Sequence, residues 1–368
     1  MLPYFCLLFI SITLPMLTYK PIDTLFDCGA RALAQKRNKM TLHLFFCGFF
    51  ALLAMRDLTV GTDLFEYRII FELCQATSFD NLSKMKWEIG YTIYNKIVSI
   101  FSHNYRVFLM ISAIVILIPI YKLYSKEENY SYLAILLFIN MPCFLMIFSG
   151  IRQAIATSIG IVAYMFLEKK KYILSGIMVF IAVLFHTSAL VLVLIYPAFF
   201  VKIKTKYLIF IATTIVAIYI WRVPLLQFLI QKMPSRYTEF YGEIRSTGAV
   251  GMMILFFMFL AFSFIIQDEN AMSKRDFFMR NMLLIATVLQ LFVPIHGLIQ
   301  RASYYFIVFT PVSILRVVQT PKKNMKSISE IAVFVMSCFF FAYFFYNAYF
   351  STDNLLNVFP YKFYWSVR

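Results

Sequence analysis

Apolar residues run through this chain in long stretches, and lysine and arginine gather in the short gaps between them. Stretches of that kind predict membrane-crossing helices, because about 20 apolar residues in a helix traverse a hydrocarbon core of about 30 Å. Twelve are expected: 2–18, 40–55, 106–121, 130–148, 152–167, 172–186, 187–201, 207–222, 248–267, 280–297, 301–318 and 329–350. Several are short, which implies tilt or incomplete crossing. The first, "MLPYFCLLFISITLPML", has no basic leader and no small-residue cleavage motif, and is expected to stay as a helix. Outer-membrane barrels alternate apolar and polar residues in short strands; these runs do not. The expected fold is all-α, a polytopic membrane protein with one integral domain over residues 1–368.

One segment departs from the pattern. "WEIGYTIYNKIVSIF" (87–101) interleaves Glu88, Asn95 and Lys96 with apolar positions at helical spacing. That predicts an amphipathic or re-entrant helix in the membrane interface. Charge decides its side. Basic clusters lie at Lys20–Lys39, Lys122–Lys126, "EKKK" (168–171), "KIKTK" (202–206), Lys274–Arg280 and Arg316–Lys326. If 87–101 does not cross, all six fall on one face, which the positive-inside rule makes cytoplasmic. Residues 56–105 and 223–247 are then external segments.

Composition removes whole classes of function. The chain is 61% hydrophobic and 14% charged, with 42 Phe and 24 Tyr among 368 residues. A soluble core has no use for that much apolar surface. The net charge of +16 belongs to the cytoplasmic loops rather than to a nucleic-acid site, so no nucleic-acid partner is expected. Six scattered cysteines without a CxxC pair, and no DxD signature, predict neither a metal site nor a cofactor.

The external face collects the polar chemistry. "RDLTVGTDLFEY" (56–67) follows an apolar run directly, and Glu88, "SGIRQ" (149–153), "HTSA" (186–189), "PSRYTEFYGEIRSTG" (234–248) and "HGLIQRASYY" (296–305) fall on the same side. Arg152, His186 and Arg301 each sit at a span edge, where an ionisable group is costly unless it serves a water-filled cavity. Arg236 and Arg245 read as solvated loop residues.

In this order the motifs R-D-x-x-V-G-T-D-x-x-x-Y (56–67), W-E-x-G-Y-x-x-x-N (87–95), G-x-R-Q-x-x-A (150–156), F-H-x-S-A (185–189), R-x-x-x-Y (301–305) and P-Y-K (360–362) resemble the EpsG family of polysaccharide polymerases. The family is similar in role to Wzy polymerases, and the resemblance implies a GT-C-like helical architecture. It implies a multi-pass protein of the bacterial plasma membrane whose site faces outward. There an undecaprenyl diphosphate-linked glycan is donor and a second lipid-linked repeat unit is acceptor. A flippase and a chain-length regulator are the protein partners it implies.

Such a transfer needs cations for the diphosphate, a group to take the acceptor proton, and polar and aromatic contacts for sugar. Arg56, Arg152 and Arg301 are the candidate cations, since a guanidinium grips phosphate bidentately; interface snorkelling or pairing with Asp63 and Glu88 is the structural alternative. Asp63, Glu88 and His186 compete for the base, against a turn carboxylate, a helix-start carboxylate and an interface histidine. Tyr67, Tyr91, Asn95, Gln153, Ser188 and Tyr305 are candidate glycan contacts; interface-belt packing is the alternative for the tyrosines. Two other functions fit a membrane protein of this size: a sugar O-acyltransferase or lipid-linked glycan ligase, and a glycolipid flippase. A transporter tends to show inverted repeats and broken mid-membrane helices, whereas here the charges gather at one face.

Overall fold

The computed structural model describes residues 2–18, 27–127, 129–231, 250–350 and 355–366, and the described residues are almost wholly helical. Two isolated bridges, Arg56 with Phe363 and Gln267 with Pro321, are the β pairing among them. The expected loop at 234–248, with Arg236 and Arg245, lies outside the described residues.

The chain divides into two compact units, Met1–Leu192 with Val333–Arg368, and Val193–Ala332. The first contains α1 (Leu2–Thr18), α2 (Asp27–Met55), α3 (Leu64–Ala76), α4 (Ile89–Phe101), α5 (Tyr105–Tyr124), α6 (Ser131–Asn140), α7 (Pro142–Ser149), α8 (Ile151–Glu168) and α9 (Tyr172–Phe185). The second contains α10 (Ile195–Phe200), α11 (Leu208–Gln231), α12 (Val250–Ile266), α13 (Lys274–Gln290), α14 (Gly297–Ile307) and α15 (Thr310–Gln319). The last helix, α16 (Lys326–Phe350), begins in the second unit and continues in the first.

Four described helical stretches are long and apolar enough to cross a membrane: Gln35–Met55, Tyr105–Tyr124, Thr205–Phe228 and Lys323–Asn347. Counting each of two bent pairs as one span gives six, and shorter apolar helices accompany them. The protein is therefore a multi-pass helical membrane protein. Twelve spans were expected, several of them short, and sequence punctuation accounts for part of the difference. The run at 130–148 is two helices meeting at 64°. Pro142 lacks an amide proton and forces Met141 into an extended conformation (φ −87°, ψ 145°), which ends α6. The run at 187–201 is a 3₁₀ segment, Thr187–Leu194, followed by the short α10. In the other direction α11 continues through Gln231, past the expected end at 222.

Aromatic rings fill the first unit. Phe45, Phe49, Phe138, Phe144 and Phe148 interlock between α2, α6 and α7, with Phe49 stacked 5.0 Å from Phe144. Ser158 on α8 donates to the Ile116 carbonyl of α5 at 2.8 Å. Residues 355–366 return as a strap over the end of α2. Asp57 N–H donates to Lys362 O, Tyr364 N–H to Met55 O and Gly61 N–H to Asn357 O. The Tyr361 and Tyr4 hydroxyls anchor the strap on Leu52 O and Val358 O.

In the second unit Arg280 of α13 is buried and fully used. Its Nε donates to Gln267, Nη1 to Glu269 and Ile203 O, and Nη2 to Ser263 O. A capping box, Ser273 with Asp276, starts the same helix, and Asp276 also takes Arg316 at 2.6 Å.

Candidate functional site

Two glycines decide where the motif side chains end up. A Cβ on Gly90 would lie 2.7 Å from the Leu184 carbonyl oxygen, so only glycine lets the first turn of α4 press against the last turn of α9. That contact carries Glu88, just before α4, to His186, just after α9. Gly61 has φ +107°, a left-handed conformation that suits glycine, and a Cβ there would lie 2.4 Å from Phe148 O. The V-G-T-D loop thereby seats on the end of α7. Ser149 locks the junction, its hydroxyl accepting from Thr62 N–H at 3.1 Å and donating to Leu356 O at 3.2 Å. One residue further, at Gly150, the chain breaks and α8 begins, with Arg152 in its first turn.

Three motif residues converge there. Arg152 Nη1 lies 2.6 Å from Glu88 Oε2, and His186 Nδ1 lies 3.3 Å from Glu88 Oε1. The Thr187 hydroxyl reaches the same Oε1 at 3.5 Å. Glu88 occupies the cap position of α4 without capping it, so its carboxylate is available to these partners. Tyr67 and Tyr91 flank the guanidinium, their ring centroids 5.8 and 5.9 Å from Arg152 Cζ and 5.8 Å from each other. The side chains of Glu88, Arg152 and His186 keep 20%, 24% and 16% of their surface exposed, so the cluster is recessed but open.

The cluster is under-bonded. Arg152 Nε and the Tyr91 hydroxyl are buried without a partner, and His186 Nδ1, though close to Glu88, lacks hydrogen-bond geometry. Of these, Arg152 Nε belongs to the guanidinium that already holds Glu88, so that arginine is not saturated by its partners among the described residues. Burial alone would raise the Glu88 carboxyl, but the adjacent His186 ring and the Arg152 charge outweigh it and hold it at about 2. Glu88 is thus a firm anion and a weak proton acceptor.

The Asp63 side chain has one bond among the described residues, accepted from the Thr62 hydroxyl at 2.8 Å; it lies one turn before Tyr67. Arg56 is 3% exposed, beneath the strap, 5.5 Å from the Phe148 ring and among Tyr4, Tyr105 and Tyr361. Its neighbour Asp57 bonds Thr59 instead of neutralising it. In this conformation Arg56 cannot reach a diphosphate. Tyr91 and Asn95 are completely buried, Asn95 donating to Tyr91 O, and Tyr67 is 4% exposed. These three present no open surface to a sugar here; Tyr67 and Tyr91 instead surround Arg152. Gln153 is buried on α8 and Ser188 half-buried after His186. In the second unit, Arg301 is exposed on α14 while Tyr304, Tyr305 and His296 are buried. No group of three or more metal-ligating side chains occurs among the described residues.

Sequence reasoning overlooked Gly90 and Ser149, both inside quoted motifs. A glycine in the first turn of a helix, where it weakens the helix, is the signal that points to Gly90. Ser149 carried none.

No curated protein and no solved structure matches the chain. The family model described as the EpsG family matches residues 40–363, from within α2 to the strap and across all the motif segments just placed. The chain belongs to the EpsG family.

Proposed function

We propose that the protein is a membrane glycosyltransferase that polymerises oligosaccharide repeat units carried on undecaprenyl diphosphate, working at the outer face of the bacterial plasma membrane. The architecture proposed is GT-C-like, with the two bent pairs, the four shorter apolar helices, α8 and α13 completing twelve crossings. The observation that carries the reading is the Glu88–Arg152–His186 cluster: a cation with a spare donor beside an imidazole, in a family of polysaccharide polymerases.

The chemistry divides among the three residues. An acceptor hydroxyl attacks the anomeric carbon of the donor, a new C–O bond forms, and the bond to the diphosphate breaks. The hydroxyl proton passes to the His186 imidazole, acting as general base. Glu88 is too weak a base for that step; with Oε1 3.3 Å from Nδ1, it stabilises the charged form of the imidazole. Arg152, whose side chain keeps 24% of its surface exposed beside Glu88, meets the leaving diphosphate, where negative charge develops.

A strain lacking the gene tests this. It should accumulate single lipid-linked repeat units and lose long polymer. Polymer of normal length, with only an acyl decoration missing, would overturn the reading in favour of an O-acyltransferase.

A further inference from the structure

The hairpin of α3 and α4 has a second face that the cluster does not use. On α4 the exposed row is Ile93, Ile97, Ile100 and Phe101, rising from 39% to 80% exposure, and it holds no charge. These positions share one side of a helix, opposite Tyr91, Asn95 and Val98, which are buried. On α3 the exposed row is Phe65, Ile69 and Leu73, opposite Tyr67, Phe71 and Cys74. Its flanks carry the exposed Glu66 and an exposed Arg68–Glu72 pair. A helix standing in water would carry polar residues along such a row.

Neither helix crosses a membrane alone. Each has 13 residues, about 20 Å at 1.5 Å per residue. We propose that the α3–α4 hairpin lies in the outer leaflet, with both exposed rows in contact with the acyl chains of bulk membrane lipid. Continuity with the spans places α4 at that depth. Three residues join Phe101 to α5, a candidate span, and the Tyr94 hydroxyl lies 3.0 Å from Ser112 Oγ, two turns along it. The other end of α4 rests on Leu184, in the last turn of the apolar α9. The residues between the helices suit a headgroup region: Lys84 and Lys86 are exposed, and Lys86 sits 4.9 Å from the Trp87 ring. An aromatic and basic belt of this kind anchors helices at the interface. The α4 helix therefore has lipid along its side and the Glu88 cluster at its N-terminus. On the polymerase reading alone, this gives a lipid-borne substrate a lateral approach to Arg152; the lipid contact itself does not depend on that reading.

The test uses the full chain, purified and reconstituted in phosphatidylcholine vesicles, with Trp87, Trp221 and Trp365 replaced by Phe. Single tryptophans are introduced by Ile97→Trp, Leu73→Trp and Phe101→Trp, and Asp80→Trp serves as the aqueous control. Position 101 is so exposed that an indole there leaves the packing alone, so it remains readable if another variant fails to fold. Vesicles made with brominated acyl chains should quench the emission from 97, 73 and 101 at least twofold and leave that from 80 unchanged. Emission from 97 and 101 quenched by aqueous iodide instead would put the face in water and overturn the proposal. Emission quenched by neither would mean that a second copy of the chain covers the face, which overturns it equally.

Discussion

Each unit of the protein holds an arginine beside a glutamate, and the two differ in what is left over. Arg280 meets Glu269 at 2.8 Å and then spends its remaining donors on Gln267, Ser263 O and Ile203 O. Arg152 meets Glu88 at 2.6 Å and keeps Nε unpaired, next to an imidazole whose nearer nitrogen is also unpaired. A saturated buried arginine is a fastener, since every donor has its acceptor and nothing is gained by a newcomer. An arginine held by one end, at the broken start of a helix, has a donor to offer. That difference separates the two Arg–Glu pairs; Arg56, whose Nε and Nη1 are also unpaired, is 3% exposed and has no carboxylate or imidazole against it among the described residues.

Removing the saturated arginine should give the largest effect, and it should be on folding. Arg280→Ala leaves the Gln267 amide oxygen, two main-chain carbonyls and the Glu269 charge without their cation, Glu269 keeping only Thr205 among the described residues, at a cost of about 3–5 kcal/mol. Detergent-extracted protein should show a sharply lower melting temperature or fail to accumulate. Normal melting would break the comparison from its structural side.

His186→Gln should act in the opposite way. The amide fills similar space but cannot take a proton, so polymer formation should fall about a hundredfold, roughly 3 kcal/mol, with melting unchanged. Polymer formed at the wild-type rate would assign the proton to another group.

Gly90→Ala sits between the two classes. Its methyl meets backbone, the Leu184 carbonyl, so α4 must move away from α9 at a cost of about 1–3 kcal/mol. Stability and polymer formation should both drop. Wild-type behaviour in both would mean that the close approach of α4 to α9 is not what joins Glu88 to His186.

The smallest effect is on pH dependence. Glu88 is held at about 2 against an ordinary 4.5, so its stabilisation is complete above about 4.5 and is lost as pH falls towards 2. Melting of the wild type should decline more steeply than that of Glu88→Gln between about pH 5 and pH 3. Parallel curves would show that the ion pair adds nothing to stability.

Much of this was legible in the sequence, and the exceptions share a cause. The all-helical membrane character follows from run length alone. The bend at Met141 is written in Pro142, yet the unbroken hydropathy of residues 130–148 hid it. Arg152 and His186, like Arg301, were visible as costly groups at span edges, and Glu88 as the carboxylate that opens an amphipathic segment. The meeting of Glu88 with Arg152 and His186 was not visible, because it depends on Gly90 and Gly61 bringing together helices whose motifs lie 64 residues apart and more. Tyr91 and Asn95 misled for a related reason. Their spacing put them on one face of α4, but periodicity does not say whether that face meets sugar or Phe108, and the structure packs Tyr91 on Phe108. The strap was the least readable part. Its partners stand about 300 residues away, and only the P-Y-K motif hinted that the tail mattered.

The central claim is that the spare capacity of Arg152 works on substrate. The direct measurement is polymer made by Arg152→Lys in membranes at wild-type abundance, alongside its melting temperature. Lysine keeps the charge and still pairs with Glu88 but lacks the fork that grips Glu88 and a phosphate together. The account predicts about a hundredfold less polymer, with melting close to wild type. Polymer at the wild-type rate would contradict it, and Arg152 would then be a fastener like Arg280.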